Sequence, residues 1–311
     1  MPTITLPTEA ERAAVDTTGF TWSNSEPGNL TKAHGALVKL ITDQLASGEG
    51  VKVLSPGRGT GKTPKFIVEN STNGADLKIV MKDNFADNKA DTVAEANKTG
   101  PYSTFVNATT KANVNVLLGS IDNVYLQDMN GVIGWTLGET DVTYTNTTTS
   151  AVMQTLDTAS MPTPFADLTD EEIAAQVAND INVDFHTKEE LLNKDDAKLD
   201  GGGSDKFIPD VVMFCPAPQL TSTYLQLDGD AATRADAWLK RELSCTLHRL
   251  FTQLPVGGVL IYDKIHFERV NGALQDALAK LDSATYDSCL YNNTEADYTG
   301  AYQSMAIKKL A

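Results

Sequence analysis

The chain has 311 residues, of which 41% are hydrophobic and 21% are charged, and its formal net charge is −16. This composition excludes collagen-like and low-complexity chains and is typical of a globular protein with a substantial core. The acidic balance disfavours a nucleic-acid partner, because affinity for phosphate backbones comes largely from lysine and arginine side chains.

The compartment and the metal content are predicted from what the sequence lacks. No apolar run reaches the length of about 18 residues that a membrane-spanning helix needs, and the first residues lack the basic end and apolar run of a signal peptide. The three cysteines, Cys215, Cys245 and Cys289, have no CxxC spacing, and the four histidines are scattered. We therefore expect a cytoplasmic protein with reduced cysteines, no membrane partner and no metal site. The oligomeric state stays open.

Predicted helices and strands alternate along most of the chain. Residues 1–28 are polar and are predicted to form an irregular lead-in. Helices are then predicted over 29–46, 64–70 and 87–97, and strands over 51–54, 77–81 and 114–118. After residue 206, helices are predicted over 233–253 and 271–281, and strands over 211–214, 259–262, 286–291 and 303–308. This alternation predicts an α/β fold with a mostly parallel sheet covered by helices on both faces.

Residues 135–206 interrupt the alternation and are predicted to be an acidic insertion. Between residues 157 and 200 there are twelve Asp or Glu against three Lys, a net charge of −9. Thr169 and Glu172 have the spacing of a helix capping box, and a Gly-Gly-Gly-Ser linker follows at 201–204. Two hypotheses stay open: a lid that closes over an acceptor, or a solvated appendage anchored by its aromatic residues. The side chains concerned are Trp135, Phe165, Phe185 and His186.

A glycine-rich loop follows the first predicted strand, with glycines at 57, 59 and 61. Glycines between a strand and a helix allow a ligand to approach the backbone closely. One hypothesis is a nucleoside triphosphate, because residues 59–63 read Gly-Thr-Gly-Lys-Thr, as at the end of a Walker A loop. Pro56 occupies the place of the opening glycine of that motif, and Asp263 follows an apolar strand in the manner of a Walker B residue.

A second set of motifs extends over most of the chain. The glycine loop follows the first strand and Asp83 follows the second. Residues 209–212 read Pro-Asp-Val-Val, residues 254–260 read Leu-Pro-Val-Gly-Gly-Val-Leu, and two strands close the chain. This ordered set resembles class I S-adenosylmethionine-dependent methyltransferases over residues 30–130 and 207–311. The resemblance implies a methyltransferase-like domain over residues 29–311. Its fold would be a doubly wound, mostly parallel seven-stranded sheet with an antiparallel closing strand.

The resemblance also implies which residues bind S-adenosylmethionine. The glycine loop would contact its methionine and ribose parts, and Asp83 would accept hydrogen bonds from the ribose hydroxyls. Two positions depart from the family pattern, because Ser55-Pro56 stands where an acid is usual and Asp122 comes two positions late. Each position also has a structural interpretation, such as a tight turn or a solvated acid. The expected cofactor-binding residues are Ser55, Gly57, Gly59, Gly61, Asp83, Asp122 and Cys215.

Candidate catalytic residues follow the later strands. Lys264 and Glu295 resemble half of the Lys-Asp-Lys-Glu set of ribose 2′-O-methyltransferases, and Cys215 stands where that set needs its Asp. His266 and Tyr262 are further candidates for accepting a proton or orienting a substrate. We therefore expect methyl transfer to an unidentified acceptor, a small molecule in preference to RNA. The alternatives are a P-loop NTPase and a non-catalytic, methyltransferase-like interaction protein.

Overall fold

The structure is a computed structural model of the chain. It describes residues 3–16, 32–45, 52–56, 71–72, 78–82, 133–137, 141–146, 152–157, 159–175, 208–214, 229–294 and 301–311. Five α-helices lie in these ranges: α1 (Glu9–Ala14), α2 (Lys32–Thr42), α3 (Asp170–Ala174), α4 (Gly229–Gln253) and α5 (Glu268–Ala279). Nine strands lie there too: β1 (Lys52–Pro56), β2 (Lys78–Lys82), β3 (Ile133–Leu137), β4 (Asp141–Asn146), β5 (Val152–Asp157), β6 (Val211–Phe214), β7 (Val259–Tyr262), β8 (Tyr286–Thr294) and β9 (Ala301–Lys309).

The main sheet has the strand order β2-β1-β6-β7-β9-β8 among the described residues. Strands β2, β1, β6 and β7 are mutually parallel. β9 is antiparallel to both β7 and β8, and β8 is the edge strand of the sheet. These six strands correspond to six of the seven that the sequence predicts. The expected strand at 114–118 and the expected helices at 64–70 and 87–97 lie outside the described residues.

Both faces of the central strands are covered. Every residue of β6 and β7 is buried, and successive side chains of a strand point to opposite faces. Helix α2 packs against β7, β8 and β9, while α4 and α5 pack against each other and are joined by the Arg269–Asp236 and Lys240–Asp276 ion pairs. The expectation of an α/β sheet with both faces buried is therefore confirmed for the described strands.

The turn into β7 depends on two adjacent glycines. Gly257 has a φ of +88°, a left-handed conformation that side chains other than glycine rarely adopt. Gly258 donates its N–H to the carbonyl of Pro255 at 2.9 Å. A Cβ at Gly258 would lie only 3.0 Å from the same Pro255 oxygen. The Gly-Gly pair is thus required for conformation at its first position and for space at its second.

The N-terminal segment differs from the predicted irregular lead-in. Thr8 and Glu11 form a capping box that begins α1. Ile4 is 1% exposed and belongs to the main hydrophobic core. The side chain of Gln44, two residues after the end of α2, accepts the N–H of Thr5 and donates to the carbonyl of Thr5. The prediction was wrong for these residues because a helix of six residues is too short to show an apolar periodicity.

Regular structure also lies between residues 133 and 157, where no helix or strand was predicted. Strands β3, β4 and β5 form a separate antiparallel sheet in the order β3-β4-β5. Residues 143–149 are rich in Thr and Asn, and this run begins within β4, which agrees with the β-preference of threonine. The capping box at Thr169 and Glu172 is confirmed, and it starts the short helix α3. Among the helices described, none has the length and apolar character required to cross a membrane.

Candidate functional site

The four parallel strands end at one edge of the sheet, where a ligand site is expected. β1 and β2 end in register, with Pro56 opposite Lys82. β1 has β2 on one side and β6 on the other, so the chain changes direction across the sheet between β1 and β6. In doubly wound sheets, ligands bind outside the carboxyl ends of the strands at such a switch point. The glycine-rich segment begins directly after β1, at this point in the topology.

Of the predicted cofactor-binding residues, only Ser55 lies within the described part of the chain. Ser55 lies on β1 and is paired in register with Met81 of β2. Ser55 therefore lies one residue from the carboxyl end of β1, near the carboxyl edge of the sheet. The other expected residues, and the catalytic candidate Glu295, lie outside the described residues: Gly57, Gly59, Gly61, Asp83, Asp122, Cys215 and Glu295. These assignments stay predictions.

Lys264 lies in the turn that follows β7 and has an unusual backbone. Its φ is +62°, in the left-handed region, which costs a residue other than glycine about 1–3 kcal/mol. The side chain is only 7% exposed, so Lys264 is not the surface charge that a strand-end lysine usually is. Its carbonyl accepts the N–H of Phe267 at 3.0 Å. Strained residues cluster at active sites, so the backbone and burial of Lys264 point to a functional role for this turn.

His266 lies in the same turn and is half-buried. Its ring packs against that of Phe267 with centroids 4.3 Å apart. Burial lowers the pKa of His266 below its ordinary value, the negative charge of Asp263 opposes this change, and the positive charge of Lys264 adds to it. A lowered pKa keeps the imidazole neutral at neutral pH, the form in which it can accept a proton.

Asp263 links three strands at the carboxyl edge. It is fully buried, and its backbone N–H donates to the carbonyl of Phe214 at 3.0 Å. Its Oδ1 accepts the hydroxyl of Ser304 at 2.5 Å. The β7–β9 register ends at Tyr262 opposite Met305, and its next position brings Asp263 and Ser304 together. From the sequence, Asp263 was predicted only as a Walker B residue, and Ser304 was not predicted because no local pattern marks it.

Tyr262 belongs to the core and not to the site. The residue is fully buried, and its hydroxyl donates to the carbonyl of Val270 in α5 at 3.4 Å. Its ring stacks on that of Phe214, its register partner in β6, with centroids 5.7 Å apart. The side chain points from the sheet towards α5, which disfavours a role of Tyr262 in accepting a proton.

Phe165 packs against α4 and against Lys280, the residue that follows α5. We call residues 159–175 the anchor segment. Phe165 is 3% exposed, its ring meets that of His248 of α4 edge-on at 5.9 Å, and the Lys280 ammonium lies 5.5 Å from its centre. Lys280 also donates to the carbonyl of Leu168 at 2.5 Å. Phe165 thus holds the anchor segment against α4 and Lys280. The positions of Phe185 and His186 lie outside the described residues.

A buried ion pair lies on α4, on the helix that carries the anchor segment. Arg241 and Glu242 are 8% and 5% exposed, and their Nη2 and Oε1 atoms are 3.2 Å apart. The Arg241 guanidinium also lies 4.1 Å above the Trp238 ring, whose Nε1 donates to the carbonyl of Ser160 at 3.0 Å. Burial raises the pKa of Glu242, and Arg241 partly offsets this effect. These contacts fix the start of the anchor segment and involve no strand end.

The buried thiols are poor nucleophiles. Cys245 and Cys289 are free and buried. Burial and the charge of Glu242 raise the pKa of Cys245 to about 12, and burial raises that of Cys289. Thiolate chemistry requires a lowered pKa, so both cysteines are packing residues. In the described part of the chain, no group of three His, Cys, Asp or Glu side chains has the arrangement of a metal site.

Comparison with known proteins gives structural similarities only. No protein-family model matches the chain, and no curated protein matches it. An rRNA methylase from Streptococcus thermophilus is 11% identical and has a TM-score of 0.36, with 87% of this chain and 92% of that one covered. A Klebsiella pneumoniae protein provisionally assigned as an O-methyltransferase is 9% identical, with a TM-score of 0.40 and coverage of 91% and 82%.

A third similar structure contains a ligand. It is a Streptococcus mutans protein, provisionally assigned as a methyltransferase, in complex with SAH. It is 11% identical to this chain and has a TM-score of 0.35, with 86% of this chain and 93% of that one covered. At such identities and TM-scores, these similarities decide neither the family nor the activity of the chain.

Proposed function

We propose that the protein transfers a methyl group from S-adenosylmethionine to a small-molecule acceptor. The observation that carries the proposal is the sheet itself. Its glycine-rich segment follows β1 at the switch point between β1 and β6, and the antiparallel strand β9 lies beside β7. Both features agree with the class I methyltransferases that the sequence resembles. The net charge of −16 supports a small acceptor over RNA.

In the proposal, the residues at the carboxyl edge of the sheet bind S-adenosylmethionine. In the proposal, Gly57, Gly59 and Gly61 leave the backbone open to the methionine and ribose parts of the ligand, and Asp83 accepts the ribose hydroxyls. Ser55, Asp122 and Cys215 would complete the surroundings of the ligand. S-adenosylmethionine supplies an electrophilic methyl group on a sulfonium, so the protein has only to align the acceptor and, where needed, remove its proton.

Residues of the turn after β7 would accept the proton of the acceptor and stabilise its negative charge. Neutral His266 would accept the proton, because its lowered pKa keeps it unprotonated at neutral pH. The buried Lys264 would stabilise negative charge that develops on the acceptor. Glu295 would orient the acceptor or Lys264 from the start of the connection between β8 and β9.

A P-loop nucleotide hydrolase is the second enzyme hypothesis. Residues 59–63 carry the Gly-Thr-Gly-Lys-Thr pattern. Asp263, its Walker B candidate, ends a strand that β6 separates from β1. Neighbouring strands are about 4.8 Å apart, so two spacings put Asp263 about 10 Å from the strand that leads into the loop. Its fully buried contact with Ser304 also disfavours a role as a magnesium ligand.

Isothermal titration calorimetry tests the proposal without an acceptor. The purified protein is titrated with S-adenosylmethionine, with S-adenosylhomocysteine and with ATP–Mg²⁺. Micromolar binding of the first two, weakened in Asp83→Ala and unchanged in the control Asp287→Asn, would support it. Asp287 is an exposed carboxylate on β8. Binding of ATP–Mg²⁺ alone, abolished by Lys62→Ala, would replace it with the P-loop hypothesis. Absence of all binding would favour a non-catalytic, methyltransferase-like interaction protein.

A further inference from the structure

Two consecutive residues of β9 form hydrogen bonds with the turn after β7. Ser304 donates its hydroxyl to the carboxylate of Asp263 at 2.5 Å. Gln303 accepts the backbone N–H of Ile265 at 3.1 Å. Lys264, with its left-handed backbone, lies between the two residues that are held. A strained conformation persists only where its surroundings fix it from several sides, and these two contacts do so here.

The hydrogen bond from Ser304 also fixes the buried carboxyl group of Asp263 beside the candidates Lys264 and His266. Asp263 and Ser304 are both fully buried, and a buried carboxylate is costly unless hydrogen bonds and opposite charges compensate it. Among the described residues, the charged groups that act on His266 are Asp263, which favours the imidazolium, and Lys264, which opposes it. The carboxylate and the ammonium are neighbours in sequence, so the charge on His266 depends on how this turn is held.

We propose that Asp263 is a positioning residue: anchored by Ser304, its carboxylate holds the turn that presents Lys264 and His266 at the carboxyl edge of the sheet. The use of this turn in methyl transfer rests on the proposed function. The contacts that carry the inference do not.

The first test is the titration of His266, followed by the NMR shift of its ring proton against pH. His266→Gln assigns the signal among the four histidines. In Asp263→Asn we expect the midpoint of His266 to move downward, because a negative charge that favours the imidazolium is lost. Asp287→Asn, an exposed carboxylate on β8, should leave the midpoint unchanged. A midpoint in Asp263→Asn equal to that of both the wild type and the control would overturn the proposal.

The second test applies even if Asp263→Asn fails to fold. In Ser304→Ala, Asp263 keeps its carboxyl group and loses the hydroxyl that anchors it. We expect the Ile265 amide to lose about tenfold in hydrogen-exchange protection, which corresponds to about one hydrogen bond. The Val259 amide, bonded to the carbonyl of Asp210 at the other end of β7, is the internal reference. An unchanged ratio of the two protection factors would contradict the anchoring.

The two proposals fail in different ways. If wild-type protein binds no S-adenosylhomocysteine in the calorimeter, the proposed function fails, and the His266 midpoint and the Ile265 amide still decide the role of Asp263. If the ligand binds and both readouts stay unchanged in the variants, the proposed function stands and the positioning role falls.

Discussion

Replacing Phe165 with alanine tests whether the anchor segment is held on α4 and α5. Phe165 is 3% exposed and belongs to a small cluster with Leu168, Ile173 and Cys245. A buried phenylalanine removes about 150–200 Å² from water, which at about 25 cal/mol per Å² is worth about 4–5 kcal/mol. The alanine methyl keeps part of this. We therefore expect a loss of about 3–4 kcal/mol, within the range measured for such truncations.

The loss should appear as local opening of the anchor segment and not as global unfolding. The cluster is separate from the main core, and such units open independently of the rest of a protein. At 1.4 kcal/mol per factor of ten, a loss of about 3 kcal/mol raises the open population about a hundredfold. A glutamate-specific protease, which would cleave after Glu171 or Glu172 of α3, measures this population under native conditions.

Met161→Ala is the matched control for this experiment. Met161 lies in the same anchor segment but is 58% exposed, so its truncation should change stability by less than about 0.5 kcal/mol. The expected result is a rise in cleavage of Phe165→Ala of about two orders of magnitude over Met161→Ala. Equal cleavage rates for the two variants would refute the anchoring. A fall in the global unfolding temperature without extra cleavage would show that the segment is not a separate unit.

Three further predictions concern buried ionisable groups and the turn into β7. The folded-state pKa of Glu242 is raised by burial, so its contribution to stability is present below about pH 4.5 and is lost as the pH rises through the folded pKa. Urea unfolding should show Glu242→Gln gaining stability over the wild type as the pH rises, and a constant difference would contradict this. The pKa of His248 is lowered by burial, so the unfolded chain binds its proton first and stability falls as the pH drops below about 6.5. His248→Gln should lose less stability on acidification, and equal losses would show that His248 is not the cause. Gly257→Ala and Gly258→Ala should each cost about 1–3 kcal/mol in thermal unfolding, by strain at Gly257 and by the clash with Pro255 at Gly258. Asparagine should recover part of the loss at Gly257 alone, because it tolerates a left-handed backbone, and recovery at both positions would refute the distinction.

The buried strands were the easiest elements to predict. β6 and β7 have the predicted bounds because each is a continuous run of four apolar residues with both faces buried. The bounds of β8 were predicted too short, since Asn292, Asn293 and Thr294 continue the pairing with β9 although their polarity is typical of a turn. The sheet of β3–β5 was missed for the same reason, because its threonines conceal an alternating pattern.

The site was predictable only as far as the chain order goes. Lys264 was proposed because it resembles a member of the Lys-Asp-Lys-Glu set, and His266 because it follows an apolar strand. The contact of Asp263 with Ser304 joins residues 41 positions apart, and it follows from the register of β7 and β9, which a single sequence does not reveal. The buried ion pair of Arg241 and Glu242 was missed because charged residues on a helix are usually solvated.

The central claim is that S-adenosylmethionine binds at the carboxyl edge of the main sheet. Hydrogen exchange followed by mass spectrometry, with and without saturating S-adenosylhomocysteine, tests it most directly. If the ligand binds there, protection from exchange increases in the peptides that contain residues 53–63 and 262–267. Protection of the anchor segment and of the facing residues of α4 stays unchanged. Protection confined to the anchor segment, or no protection anywhere at a saturating concentration, would contradict the central claim.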